Sequence, residues 1–156
     1  PKGTMPVGRL DEKSEGLLLM TTDGKWSDDI NRSGIEKQYL VQLDGLVTTD
    51  AIDKLSKGVV IGLFGKKYET LPCDVDYLKE EPILPEASAA LRIGRHRPTS
   101  WISMVIKEGK YRQIRKMTAA VGFPTVRLVR IRIGDISLGQ MKPSQVLKIT
   151  STLLSS

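Results

Sequence analysis

The sequence predicts an α+β fold in which a mixed, mostly antiparallel central sheet is flanked by helices. Segments with strand character outnumber segments with helical periodicity, and several of the strands are joined by short turns. The 156 residues suffice for one domain with a real core but not for two large ones. We therefore expect a single domain over residues 1–156.

Three elements are predicted in the first 45 residues. The apolar run GLLLMT (16–21) is typical of a buried strand, and WSDDINRSG (26–34) predicts a short helix that ends at its glycine. EKQYLVQLDG (36–45) alternates apolar and polar residues, as a strand with one buried face does. The apolar face of this strand contains Tyr39, Val41 and Leu43.

The middle of the chain predicts one helix and two strands. TTDAIDKLSKG (48–58) has a threonine cap at Thr48 or Thr49, an apolar stripe, and a closing glycine at Gly58. Strands are predicted over VVIG (59–62) and YETLPCDVDYL (68–78). The proline-containing stretch 80–98 is expected to be a connection.

The last third predicts a strand, a helix and a long strand. TSWISMVIKEGK (99–110) is a strand that ends at a glycine turn, and YRQIRKMTAAVG (111–122) is a helix with basic residues beside its apolar stripe. TVRLVRIRIGDISL (125–138) is a strand in which basic and apolar residues alternate. We expect it to present one greasy face and one arginine face that carries Arg130 and Arg132.

Positive charge is concentrated in the C-terminal half of the chain. Residues 91–132 contain eleven Lys or Arg and one acidic residue, Glu108, whereas residues 44–90 contain five basic and nine acidic residues. A basic stripe of this kind suits a polyanion such as RNA, because each neutralised phosphate releases counterions. A solvated basic face with no ligand explains the same composition equally well.

The residue inventory removes several kinds of active site. The single cysteine, Cys73, excludes a disulfide framework and a cysteine-rich metal site. The sole histidine, His96, lies among cations that oppose its protonation, so we interpret it as a surface or RNA-contact residue. We find no zinc-ligand set and no glycine-rich phosphate motif, so the chemistry is expected to need neither metal nor cofactor.

A carboxylate, a cation and an aromatic ring remain as candidates. Asp11 precedes an apolar run, where a carboxylate stays ionised only if a cation lies close by. Arg115 follows the core-facing Ile114 and is the best candidate for that cation, and Tyr39 could stack on a base. A turn carboxylate, a solvated arginine and a core tyrosine are the alternatives at these positions.

Three motifs together resemble RNA pseudouridine synthases of the RsuA/RluA type. GRLDEKSEGLLLMTTDG (8–24) is similar to their catalytic-aspartate motif, EKQYLV (36–41) to their tyrosine motif, and EGKYRQIRKMTAAVGFPTVRLVRIRIGDISLG (108–139) to their basic motif. The stretch RPTSWISMVI (97–106) is most similar to the large-subunit rRNA branch typified by RluE. The motifs occur in the family's order and span most of residues 8–140.

The chain departs from the family pattern at several points. Lys110-Tyr111 stand where Arg-Asn is usual, and Thr22 stands where Asn is common. Part of the usual N-terminal strand and loop is expected to be absent before residue 8, or to be present in the protein but not in this chain. The resemblance implies no separate N-terminal RNA-binding domain.

The resemblance implies a pseudouridine synthase fold with a catalytic cleft and the isomerisation of a uridine in ribosomal RNA to pseudouridine. Asp11 would carry the reaction, Arg115 would keep it ionised, and Tyr39 would stack on the target base. Arg9 would fill the space that the flipped uridine leaves, and Leu128 would line the pocket floor. Phosphate contacts are expected from six further cations: Arg95, Arg97, Arg112, Lys116, Arg127 and Arg130.

The implied partner is an rRNA stem-loop with a flipped-out uridine, bound by a monomer that does not contact membranes. We expect a cytoplasmic location, or an organelle if a leader has been removed. The alternative is a non-catalytic rRNA-binding or ribosome-assembly module on the same fold. That alternative explains the basic stripe but gives no reason for Asp11, Tyr39 and Arg115 to occur together.

Overall fold

The computed structural model describes residues 5–7, 14–16, 19–21, 34–85 and 97–137. The strands are Met5–Val7 (β1), Glu15–Gly16 (β2), Leu19–Thr21 (β3), Lys37–Asp44 (β4), Val60–Leu63 (β5), Lys66–Glu69 (β6), Asp74–Leu78 (β7), Thr99–Ile106 (β8), Thr125–Ile133 (β9) and Ile136–Ser137 (β10). The helices are Thr49–Lys57 (α1) and Gln113–Ala120 (α2). Neither of these two helices is long and apolar enough to cross a bilayer. The helix expected over 26–34 lies outside the described residues except for its last glycine.

The main sheet has β4 near its centre, between β8 and β9, and both neighbours run antiparallel to it. β7 continues the sheet beyond β8, and β10 lies beyond β9. Among the described strands, the short β2 adds a parallel pairing to this sheet, also along β9. The predicted α+β class with a mixed, mostly antiparallel sheet is therefore confirmed.

One face of this sheet forms the hydrophobic core because the apolar residues of β4, β8 and β9 alternate in register. Val41 pairs with Ile102 on one side and with Leu128 on the other. Both helices cover this face, with Leu55 from α1 and Met117 from α2 completely buried. Burial of a side chain of this size contributes about 1.5–3 kcal/mol each.

Helix α1 begins and ends where the sequence predicts. The Thr48 hydroxyl accepts a hydrogen bond from the backbone N–H of Ala51 at 3.1 Å, so Thr48 rather than Thr49 is the cap. Gly58 closes the helix with φ +97°, and a Cβ at this position would lie 2.2 Å from the carbonyl oxygen of Thr70. A larger residue is excluded there by both conformation and space.

Helix α2 begins two residues later than predicted. Arg112 has φ +51° and ψ +35°, which is left-handed backbone and not helical, so Tyr111 and Arg112 belong to the preceding loop. The Gln113 side chain stabilises this loop, because its Oε1 accepts from the Lys110 N–H at 3.1 Å.

The segment predicted as one strand over 125–138 forms two strands, and the prediction that it has a single arginine face is wrong. A turn at Gly134, with φ +56°, separates β9 from β10. The register with β4 shifts so that Arg130 lies opposite Tyr39 while Arg132 lies opposite Gln38. Because Gln38 and Tyr39 are adjacent in β4, this bulge sends the two arginines to opposite faces of the sheet.

Candidate active site

The middle of the aspartate motif is held against the edge of β9. Glu15 and Gly16 of β2 pair in parallel with Val129 and Arg130. Gly16 has φ +109°, and a Cβ there would lie 2.1 Å from the carbonyl oxygen of Arg130. The close approach of the two backbones therefore requires glycine at position 16.

An ion pair between a buried arginine and a partly exposed glutamate holds the same segment against the sheet. The Arg127 guanidinium donates from Nε and Nη2 to the two carboxylate oxygens of Glu15, both at 2.8 Å. Nη2 also donates to the Pro85 carbonyl at 2.7 Å, and the Arg127 side chain is only 7% exposed. This bidentate geometry is the strong form of an Arg–carboxylate pair. Arg127 thus lies inside the protein. The phosphate contact expected from the sequence would require this side chain to face solvent.

Arg115 reaches the aspartate motif from helix α2. It follows Ile114, which is 4% exposed and packs in the core, and its own side chain is half-buried. Its Nη2 donates to the Ser14 hydroxyl at 3.3 Å, between residues 101 positions apart in sequence. Asp11 and Arg9 lie outside the described residues, so the Asp11–Arg115 pair stays a prediction.

Tyr39 lies in the same cross-strand row as Gly16 of β2. On one side it is in register with Met104, and on the other with Arg130, which in turn pairs with Gly16. Two strand spacings, about 10 Å, therefore separate the backbones of Tyr39 and Gly16. Tyr39 is half-buried against the core, and Leu128, in the next row on that face, is 5% exposed.

A buried arginine belongs to this row, and a lysine lies near it. Arg130 is 4% exposed, so it too lies within the protein, unlike the solvent-facing phosphate contact that the sequence suggested. Burial, and secondly the charge of Arg130, lower the pKa of Lys37 from its usual value. Lys37 was not predicted as a site residue, although it stands two residues before Tyr39 on β4.

The other predicted phosphate contacts lie at the surface or near it. Arg97 is exposed and donates from Nη2 to the carbonyl oxygens of Asp44 and Gly122 at 2.8 and 3.2 Å. Lys116 is half-buried on α2, and Arg112 is half-buried in the loop before it. Arg95 lies outside the described residues.

Glu108 organises the loop from which α2 starts, a role that the sequence interpretation missed. Its carboxylate accepts from the Tyr68 hydroxyl, from the Leu71 N–H at 2.8 Å and from the Gln113 Nε2 at 2.9 Å. The hydrogen bond to Glu108 is the main reason that the pKa of Tyr68 is raised to about 12. A signal was present, since Glu108 is the one acid within the basic stretch 91–132.

This chain is similar in sequence to known enzymes that modify RNA. The model of the family described as RNA pseudouridylate synthase matches residues 1–120. The ribosomal large subunit pseudouridine synthase E of Vibrio parahaemolyticus serotype O3:K6 (strain RIMD 2210633) is 40% identical over 146 residues, which are 92% of this chain and 59% of the relative. The protein of the same name from Xanthomonas campestris pv. campestris is 38% identical, over 93% of this chain and 76% of the relative.

The fold is also similar to a solved structure, whose title is Crystal structure of pseudouridylate synthase. The two superpose with a TM-score of 0.76 at 27% sequence identity. The match covers 97% of this chain and 58% of the solved chain. The chain thus spans about three fifths of the Vibrio relative and of this solved structure.

Proposed function

Because this chain belongs to the RNA pseudouridylate synthase family, we propose that it isomerises a uridine of ribosomal RNA to pseudouridine. The observation that carries the proposal is the contact between Arg115 and Ser14, which joins the basic motif to the aspartate motif. Relatives named for the large ribosomal subunit favour large-subunit rRNA as the substrate.

The reaction rearranges bonds without a net change in oxidation state. The N1–C1′ bond of the uridine breaks, the uracil turns, and its C5 bonds to C1′. The proton leaves C5, and N1 gains a proton. We propose that Asp11 acts on the sugar, either as a nucleophile whose bond to C1′ breaks again when C5 attacks, or by removing the proton from C2′ and returning it when C5 bonds to C1′. The protein supplies a base or nucleophile, a cation and an orienting surface, and no cofactor is invoked.

The Ser14 contact supports an ion pair between Asp11 and Arg115. Three residues of extended chain span at most about 11 Å, so Asp11 cannot be far from the hydroxyl that Arg115 contacts. An opposite charge within about 4–6 Å favours the ionised carboxylate. We propose that the Arg115 guanidinium keeps Asp11 negative in an apolar setting, where a lone carboxylate would take up a proton.

Tyr39 and Leu128 are proposed to position the base. The Tyr39 ring is well suited to stacking because it is only half-buried and belongs to the row that ends at Gly16. Its hydroxyl is proposed to take the proton from C5, and Leu128 to provide the apolar floor. A uridine in a stem must first leave its stack, and Arg9 is proposed to occupy the vacated space.

The RNA backbone is proposed to lie along the cations near α2 that are exposed or half-buried. Arg97, Arg112 and Lys116 belong to this surface, and Arg95 joins it by its position in the sequence. Phosphate contacts of this kind position the RNA without reading its bases. We assign Arg127 and Arg130 to the support of β2 and the Tyr39 row instead, because both are buried.

Tritium release tests the proposed function directly. Transcripts of large-subunit rRNA carrying uridine labelled with tritium at C5 are expected to release tritium when incubated with the protein, because the C5 proton is lost to solvent. Small-subunit transcripts labelled in the same way serve as the control for substrate choice. If tritium stays on both transcripts while RNA is still bound, the chain is a binding module and the proposal is wrong.

Replacing Arg115 by methionine is expected to lower kcat by about 10²–10³-fold, because catalysis then rests on a carboxylate without its partner. Because the cation is proposed to favour the ionised carboxylate, its loss should move the acid limb of the pH–rate profile to higher pH. Measuring kcat between pH 5 and 9 checks both effects. Lys54→Met, at an exposed cation of α1, is the control. An unchanged acid limb would argue against the ion pair.

Tyr39→Phe is expected to keep RNA affinity and to lose about 10²–10⁴-fold in kcat, because the ring remains while the proton acceptor is gone. Tyr39→Leu should lose affinity as well. Filter binding and tritium release separate the two effects, and Tyr77→Phe on β7 is the matched control. Equal kcat in Tyr39→Phe and the wild type would mean that Tyr39 acts only by stacking on the base and that its hydroxyl does not accept the C5 proton.

A further inference from the structure

The hairpin formed by β5 and β6 carries a phenylalanine that folding does not require. Leu63 pairs with Lys66, so Phe64 and Gly65 form a two-residue turn, with φ +49° and +81°. Such a turn favours asparagine or glycine at its first central position, and a bulky residue with positive φ is strained there. Phe64 is nevertheless present, and it is 86% exposed. Neither local conformation nor burial accounts for this side chain.

The Tyr111 ring packs beside Phe64 and is contacted by Lys116. The centroids of Phe64 and Tyr111 are 6.0 Å apart with the ring planes 30° from parallel, and Tyr111 is 39% exposed. The Lys116 ammonium lies 5.2 Å from the centre of the Tyr111 ring and donates to the Gly62 carbonyl at 2.7 Å. Lys116 therefore ties helix α2 to the hairpin. We call Phe64 and Tyr111 together the aromatic platform.

The surroundings of the aromatic platform favour an anionic partner. Lys66 and Lys67 follow the turn directly and are exposed, and Lys110 is exposed next to Tyr111. Of the nearest acids, Glu108 is engaged by three protein donors, and the exposed Glu69 lies at the far end of the hairpin. Exposed rings bordered by lysines are the combination that binds single-stranded nucleic acid.

The geometry also limits how a base can bind. A base between two parallel rings needs about 3.5 Å on each side, more than the 6.0 Å separation allows. The outward face of Phe64 is the surface left for stacking. Tyr111 stands where the family pattern usually has asparagine.

We propose that the aromatic platform stacks an unpaired base of the substrate RNA outside the catalytic site, while Lys66, Lys67 and Lys110 contact the adjoining phosphates. The inference rests on the proposed function for the identity of the RNA. Because every base has a π-face, this contact adds affinity without reading sequence. It would hold a single-stranded flank of the rRNA while the target uridine is processed.

Phe64→Asn separates binding from folding, because Asn-Gly is the preferred sequence for this turn. We expect the variant to bind a short single-stranded RNA about tenfold more weakly than the wild type. Its Tm should rise by about 2–4 °C as backbone strain is relieved. The probe is an oligouridylate with one 2-aminopurine, whose fluorescence is quenched on stacking. Phe64→Trp should keep the quenching, and Tyr77→Ala, at an exposed ring on β7, should bind like the wild type.

The inference is overturned if Phe64→Asn binds the RNA as tightly as the wild type, or if Tyr77→Ala weakens binding equally. The first result would leave Phe64 available for a protein partner, and the second would make the effect nonspecific. The measurement does not depend on turnover. A protein that isomerises no uridine but loses RNA affinity in Phe64→Asn would refute the proposed function and leave the aromatic platform standing.

Discussion

Asp11→Asn is expected to abolish pseudouridine formation, with tritium release at least about 10⁴-fold below that of the wild type. An amide has the size of the carboxylate, but it can neither attack C1′ nor accept the C2′ proton. The substitution also removes the charge that Arg115 is proposed to balance, without removing volume. Single-turnover tritium release with excess enzyme measures the chemical step directly.

RNA affinity should be nearly unchanged in Asp11→Asn, because phosphate contacts and not the catalytic carboxylate supply most of the binding energy. Asp50→Asn, at an exposed carboxylate on α1 that pairs with Lys54, controls for the general effect of losing one negative charge. Activity within about tenfold of the wild type would show that another group carries the reaction. Asp11 would then be the turn carboxylate that the sequence also allows.

Local physics made much of the fold predictable. The alternation in 36–45 is confirmed by β4, and Thr48 and Gly58 bound α1 because their side-chain and backbone preferences act within a few residues. The start of α2 was not predictable in this way. It depends on Glu108, which accepts hydrogen bonds from Gln113 and from the distant Tyr68 and Leu71, contacts that no helical periodicity contains.

The candidate site was likewise predictable only in part. Arg115 follows a core residue and contacts the Ser14 hydroxyl, whereas its pairing with Asp11 stays a prediction because Asp11 lies outside the described residues. The burial of Arg127 and Arg130 could not be predicted. Arg127 is paired with a residue 112 positions away, and Arg130 lies on the core face with Leu128 while a bulge turns Arg132 to the other face. A strand pattern contains neither fact.

Removing Glu15 is expected to be the most destabilising single change near the site. Glu15→Met leaves the Arg127 guanidinium 7% exposed and without its carboxylate, which should lower the free energy of unfolding by about 3–5 kcal/mol. Urea unfolding monitored by fluorescence, at constant m-value, measures the change. Glu36→Gln is the matched control, because Glu36 pairs with Arg132 at 3.5 Å while 38% exposed, and it should cost less than about 1 kcal/mol.

Replacing Arg127 and replacing Glu15 should lower the free energy of unfolding by different amounts. Arg127→Met leaves Glu15, whose side chain is 34% exposed and can turn to water, so this variant should lose less stability than Glu15→Met. The double variant Glu15→Met/Arg127→Met should recover part of the loss, since no buried charge remains. Equal losses in the two single variants would mean that hydrogen bonds, and not the stranded charge, dominate. Because β2 lies within the aspartate motif and Glu15 is four residues after Asp11, Glu15→Met should also lower kcat more than RNA affinity, as the segment that carries Asp11 loses its anchor to β9.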